Sequence, residues 1–183
     1  MVEQTVYKNL SLLSRYKTDY SDAWQTDKKV VAPKTLEVQN GNSPLETRII
    51  YHNYDTHGNP QYISKDNADK VVYLWGYNYQ YPIAEIKGAA YSDVTGKISE
   101  SSLNTIAAKS EPAAADWTSI NNLRTQLPNA LVTTYTYKPL IGIQTMTDPR
   151  GVVTKYDYDS FGRLIKVTQA DRVIESYEYH YKN

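Results

Sequence analysis

Cysteine is absent from this chain, phenylalanine occurs once, and histidine occurs three times in 183 residues. Without cysteine there can be no disulfide, no thiolate nucleophile and no cysteine-ligated metal. Lys and Arg total 20 and Asp and Glu total 20, with no basic run. That balance gives no electrostatic case for nucleic acid or an anionic membrane as partner. No window reaches the roughly 18 apolar residues of a membrane-spanning helix. The opening residues Met1 to Leu10 show neither a basic n-region nor an apolar h-region, so they do not read as a signal peptide. A cytoplasmic chain and a piece cut from something larger both fit. Gly-x-Gly-x-x-Gly, Walker-type and Gly-x-Ser-x-Gly signatures are also missing.

Tyrosine, in contrast, is plentiful: 18 residues against three Trp. Its ring buries apolar area while its hydroxyl seeks water or a hydrogen-bond partner. This composition favours a thin, two-sided layer over a thick core, in keeping with a mean hydropathy of −0.61.

The tyrosines are periodic. Tyr135-Thr-Tyr137, Tyr156-Asp-Tyr158 and Tyr177-Glu-Tyr179 share a Tyr-x-Tyr pattern at steps of 21 residues, and Tyr54 and Trp75 lie 21 apart. Such a period marks a repeat architecture. The clearest unit runs from Thr154 to Val167. Tyr156 and Tyr158 share one face of a strand. Asp159 opens a turn, Gly162 supplies positive φ at its end, and Leu164, Ile165 and Val167 carry the return strand. The pattern predicts a hairpin with a four-residue connection. Tyr54, Asp55 and Gly58 repeat the layout. Asp148-Pro149-Arg150-Gly151 and Asp66-Asn67-Ala68-Asp69 predict a second turn type alternating with the first.

Tyr156-x-Tyr158-Asp159-x-x-Gly162-Arg163-Leu164 resembles the defining motif of RHS/YD repeats. Asp148-Pro149-Arg150-Gly151 is similar to that family's linking turn, and Tyr54-Asp55-x-x-Gly58 to a degenerate copy. The stretch Tyr73 to Pro82 resembles a variant found in some surface-associated bacterial members. The resemblance covers residues 46–87 and 130–183. It implies that longer relatives wind such strands into a hollow shell around a toxic or effector cargo, or build extended surface proteins. It also implies a secreted or cell-surface setting. Some relatives cleave themselves at a pair of Asp-Pro-x-Gly-Leu copies; here one Asp-Pro-Arg-Gly is followed by Val152, a departure that speaks against self-cleavage.

Between Gly88 and Pro128 tyrosine nearly vanishes. Trp117, Ile120, Leu123 and Leu127 recur at helical spacing, with Asp116 as N-cap and Pro128 as stop. Val94, Ile98, Leu103 and Ile106 suggest an earlier helix. A two-helix insertion could cover an apolar patch of the sheet or serve as a partner-docking arm. Within residues 1–45, Lys34 to Val38 alternate like a strand, whereas Tyr7, Leu10, Leu13, Tyr16 and Tyr20 fit two strands or a short helix.

The expected fold is therefore mainly β, an antiparallel meander in an extended curved sheet. Its divisions are 1–91 as an N-terminal β segment, 92–128 as a helical insertion and 129–183 as C-terminal repeats. No catalytic, metal or cofactor residues are expected. His52, His57 and Asp55 could approach a metal but read as solvated turn residues. Asp148, Asp157, Asp159 and Asp171 cluster in sequence, but Asp148 and Asp159 have turn roles. Two readings of the Tyr156 and Tyr158 face stay open: cross-strand pairing, or a surface for carbohydrate or a partner protein. The last strand, Glu175 to His180, either pairs with another strand in an array or in a second copy, or is covered by residues 1–45.

Overall fold

The computed structural model describes residues 1–24, 30–65 and 68–180. Seven strands come first: β1 (Val2–Lys8), β2 (Ser11–Ser21), β3 (Ala32–Asn40), β4 (Glu46–Tyr54), β5 (Pro60–Lys65), β6 (Asp69–Gly76) and β7 (Tyr81–Lys87). Helices α1 (Tyr91–Thr95), α2 (Glu100–Ala107) and α3 (Ala114–Gln126) follow. Five strands complete the chain: β8 (Leu131–Lys138), β9 (Gly142–Thr147), β10 (Val153–Tyr158), β11 (Leu164–Gln169) and β12 (Arg172–Ser176). The strands hydrogen-bond in chain order from β1 to β12. The fold is thus the expected antiparallel meander.

Two compact units divide the chain: residues 1–73 with 87–94, and residues 74–86 with 95–183. In the first, burial rises along the sheet. No residue of β1 or β2 is buried, whereas Val71 and Val72 of β6 are 2% and 0% exposed. Consecutive strand residues point to opposite faces, so β6 is covered on both. Residues 1–45 resolve as strands: Tyr7 lies in β1, Leu13, Tyr16 and Tyr20 in β2, and Leu10 at the hairpin tip between them. That tip needs two left-handed residues, Asn9 (φ 48°) and Leu10 (φ 66°).

In the second unit β7 carries the two-sided core, with Ile83, Ala84 and Ile86 fully buried. Ile120 and Leu123 of α3 and Val132 of β8 are also fully buried. The single early helix expected from Val94 to Ile106 is two helices, α1 and α2, separated by residues 96–99. Ser99 caps α2 by accepting the Ser102 N–H. Asp116 is not the N-cap of α3. The helix starts earlier, Ala113 is its N-cap, and the Asp116 carboxylate reaches back to the Ala113 N–H at 2.7 Å. The N-cap N–H is one of the donors a helix start leaves unsatisfied, and a carboxylate three residues in can take it.

The last strand is β12 (Arg172–Ser176) and not Glu175 to His180, since residues 177–180 leave the ladder; among the described residues it pairs with β11. The described part of residues 1–45 forms β1 to β3. Asp66 and Asn67 of the expected turn before Tyr73 lie outside the described residues, as does Lys182.

Candidate functional site: a tyrosine latch repeated along the hairpins

Three loops close with one set of hydrogen bonds. In each, an Asp carboxylate oxygen accepts the backbone N–H groups two and four residues on. Asp55 takes His57 and Asn59 (2.8 and 2.9 Å), Asp148 takes Arg150 and Val152 (2.9 and 2.8 Å), and Asp159 takes Phe161 and Arg163 (both 2.9 Å). The Gly three residues on donates to the Asp carbonyl at 3.2, 2.9 and 3.1 Å for Gly58, Gly151 and Gly162. Those glycines stand at φ 83°, 84° and 76°, a region that side chains with a Cβ adopt at a cost. The Asp148 turn, expected to be of a second type, is therefore of the same type as the other two. Pro149 differs from Ser160, but neither makes the closing bonds; Asp and Gly make them. The hairpin after Tyr158 is also tighter than a four-residue connection, because Asp159 N–H already donates to the Arg163 carbonyl at 2.9 Å.

At the ends of β4, β8 and β10 a tyrosine hydroxyl crosses to the strand before it, and beyond β12 a fourth reaches β11. Tyr54 donates to the Pro33 carbonyl, Tyr137 to Pro82, Tyr158 to Ile143 and Tyr179 to Leu164, all at 2.8 Å. Donors and acceptors of the last two are each 21 residues apart, so the latch repeats with the sequence period. The residue before the acceptor meets the tyrosine ring in every copy. Ala32 shares a buried cluster with Tyr54. Tyr81 stacks on Tyr137 at 4.7 Å between centroids. At Gly142 an added Cβ would lie 2.6 Å from the Tyr158 hydroxyl. The Arg163 guanidinium sits 4.4 Å over the Tyr179 ring.

Burial pushes the hydroxyl pKa of Tyr137 up to about 12, and raises those of Tyr54 and Tyr158 by the same cause. These phenols stay protonated donors at any physiological pH. Asp159 moves the other way: the Arg163 backbone N–H, opposed by desolvation and aided by the Arg163 side chain and the Phe161 N–H, lowers its carboxyl pKa.

A further element joins the latch at the insertion. Tyr77, Asn78 and Tyr79, the tip between β6 and β7, are all left-handed (φ 52°, 57° and 63°). Asn78 and Tyr79 N–H groups donate to the Lys109 and Ala107 carbonyls, and the Tyr79 hydroxyl to Asn104. The Ala107 carbonyl is one that the end of α2 would leave open. The Tyr77 hydroxyl, 3.0 Å from the Tyr137 N–H, accepts from it. Sequence reading missed this tip, because no glycine occupies its left-handed positions; Asn78, the residue type most tolerant of left-handed backbone after glycine, is the signal within them. Arg124 of α3 was missed too. It donates to the Asp148 and Thr147 carbonyls and the Thr134 hydroxyl, and burial lowers its pKa.

The remaining expected residues fall nearby. Tyr135 in β8 stands opposite Met146, and Tyr156 in β10 opposite Val167; both are half-buried. Trp75 is half-buried in β6. Tyr177 donates its N–H to Ile165 and its hydroxyl to Glu175. Of the pair considered for surface binding, Tyr158 has its hydroxyl committed to Ile143. His52 contacts the Ser64 hydroxyl at 2.8 Å and stacks on Tyr62, while His57 sits in the Asp55 turn. Asp157 pairs with Lys166 at 2.9 Å. Among the described residues, no group of three His, Asp or Glu side chains is placed to hold a metal, and no helix is long and apolar enough to cross a membrane.

An antiparallel meander in which one Asp-Gly turn recurs three times and one tyrosine latch four times, the two meeting after β4 and after β10, has a repetitive β architecture. Residues 142–174, which span β9 into β12 and both of their Asp-Gly turns, match the family described as RHS Repeat. No curated protein matches the chain in sequence. Among solved structures, the chain is similar to the crystal structure of TcdB2-TccC3-Cdc42, with 11% identity and a TM-score of 0.46. TcdB2-TccC3 without its hypervariable C-terminal region gives 12% and 0.45, and TcdB2-TccC3-TEV 10% and 0.44. Each comparison covers 92% of this chain and 8% of the other, so the chain spans under a tenth of their length.

Proposed function

We propose that this chain is a non-enzymatic wall segment of a longer RHS-repeat array, a scaffold at or outside the cell surface. In this reading residues 1–91 and 129–183 are two stretches of one array, and 92–128 an insertion between them. The observation that carries it is the latch. Each copy ties a tyrosine hydroxyl to the backbone of an earlier strand, and Tyr158 and Tyr179 repeat it at a step of 21 residues. Such a device stabilises extension, since each unit contacts its neighbours alone. The carboxylates that a hydrolase would need free are spent on turn amides at Asp55, Asp148 and Asp159.

Adding a unit tests this. A second copy of residues 143–163 is inserted between Arg163 and Leu164, which keeps every latch partner at its spacing. A chain that folds as an array takes up the extra 21 residues as structure. Its urea m-value then rises by roughly a tenth, in proportion to the surface buried, and the added segment resists proteolysis. An added unit that is cleaved at once, with an unchanged m-value, would refute the reading.

A further inference from the structure

The residue four after the turn Asp differs in each Asp-Gly turn: Asn59, Val152 and Arg163. In every copy Oδ1 of the Asp accepts the two turn amides. Oδ2 is what the fourth residue can reach. Asn59 donates its side-chain amide to Asp55 Oδ2 at 2.9 Å and ends there. The Val152 side chain has no donor. Arg163 donates both Nε and Nη2 to Asp159 Oδ2, at 2.8 and 2.7 Å, and is long enough to go on. Its guanidinium carbon lies 4.4 Å over the Tyr179 ring and 5.3 Å from the centroid of the Phe161 ring. A guanidinium pairs with a carboxylate through its edge and meets an aromatic ring with its face, so the two contacts do not compete. Tyr179 is the latch tyrosine one period after Tyr158. Arg163 therefore touches the turn of one repeat and the latch of the next.

We propose that Arg163 is a positioning residue that couples the two: the closed Asp159 turn holds the guanidinium where Tyr179 docks, so that consecutive repeats close together. A free arginine side chain samples many rotamers, and fixing it against a ring costs entropy. Here the Asp159 carboxylate has already fixed it, by charge-assisted bonds between side chains 32% and 19% exposed. Tyr179 thus meets an ordered cation. Linkage makes the effect mutual: a docked Tyr179 favours the closed turn by the same factor as the closed turn favours docking. Asn59 and Val152 are too short to make such a link. Residues 177–180 have left the ladder. The Tyr179 hydroxyl bond to Leu164 (2.8 Å) and the Tyr177 N–H bond to Ile165 (2.9 Å) tie them to β11, and at so lightly held a segment a modest coupling is measurable.

Hydrogen exchange of the full chain, followed amide by amide by NMR, reads this. The Tyr177 amide reports docking. The Gly162 amide, which donates to the Asp159 carbonyl at 3.1 Å, reports the turn. Asp159→Asn keeps an oxygen for the turn amides but no longer holds Arg163 by charge. Asp159 bonds within its own turn, to residues 161 to 163, yet its loss should speed exchange at Tyr177 at least about threefold. Arg163→Gln should do the same, and the double variant no more than either alone, the mark of one connected set of contacts. Tyr179→Leu should speed exchange at Gly162 by a like factor. Amides of the β8–β9 ladder should keep their rates. If Asp159→Asn quickens those as well, the chain is loosened as a whole, and Tyr179→Leu read at Gly162 decides in its place. A Tyr177 rate that ignores Asp159→Asn overturns the proposal, as do effects of Asp159→Asn and Arg163→Gln that multiply, or a Gly162 rate that ignores Tyr179→Leu. The chain keeps its length throughout, so these outcomes are read separately from the added-unit experiment.

Discussion

Gly142 should not tolerate even one methyl group. Its backbone is not left-handed, so the reason is space: an added Cβ lies 2.6 Å from the Tyr158 hydroxyl oxygen and 3.1 Å from the ring carbon that bears it. The Tyr158 ring can swing away only by giving up its 2.8 Å bond to the Ile143 carbonyl. Losing that bond costs about 1 kcal/mol, and crowding a packed contact about 1–3 kcal/mol. Replacing a strand glycine returns about 0.5–1 kcal/mol of backbone entropy. Gly142→Ala should therefore destabilise the chain by about 1–3 kcal/mol in urea unfolding followed by circular dichroism. Tyr158→Phe alone should cost about 1 kcal/mol. Because both lose the same bond, the double variant should fall short of the sum by about 1 kcal/mol, the signature of coupled neighbours. Additive costs, or a Gly142→Ala midpoint equal to wild type, would refute the latch geometry at this repeat.

Gly162→Val should cost about 1–3 kcal/mol, since Gly162 stands at φ 76° and β-branched residues tolerate that region poorly; an unchanged urea midpoint would contradict the turn. Asp159 has a depressed carboxyl pKa in the fold, so its contribution is complete above the ordinary carboxylate range and is lost as pH falls through the folded value. Stability measured from about pH 5 downward should decline, and Asp159→Asn should remove part of that slope; an identical slope would show that the turn carboxylate does not contribute. Tyr137, held neutral up to about pH 12, should contribute stability below the ordinary phenol pKa that is lost as pH rises from about 10 to about 12, a loss that Tyr137→Phe should reduce. The purified chain should not turn over glycoside or ester substrates, and turnover abolished by Asp157→Asn or Asp159→Asn would overturn the scaffold reading.

The turn was legible in sequence because it is local. Asp159 and Gly162 lie three residues apart, and their spacing states the bonds they make. What varied inside the turn misled: Pro149 in one copy, where the other has Ser160, suggested two turn types, although neither side chain makes a closing bond. The latch was half legible. Its tyrosines recur at 21 residues, but their acceptors are backbone carbonyls, which carry no sequence signal, and the distance back to them is 15, 21 or 55 residues. The positions beside the acceptors hide their kinship still further. Ala32, Tyr81, Gly142 and Arg163 share no chemistry, yet each meets a latch ring, by smallness, stacking, absence of a side chain or cation–π contact. The tip at Tyr77 to Tyr79 was illegible because its left-handed backbone is held by α2 carbonyls about 30 residues on.

The central claim is that one tyrosine of each pair is a structural latch while its neighbour two residues away is not. Tyr→Phe exchange removes a hydroxyl and little else, so a matched set measures it. Urea unfolding of Tyr54→Phe, Tyr137→Phe and Tyr158→Phe should each show a loss of about 1 kcal/mol, against less than about 0.5 kcal/mol for Tyr156→Phe. Equal costs at Tyr156 and Tyr158, or no cost at any of the three latch positions, would contradict the account.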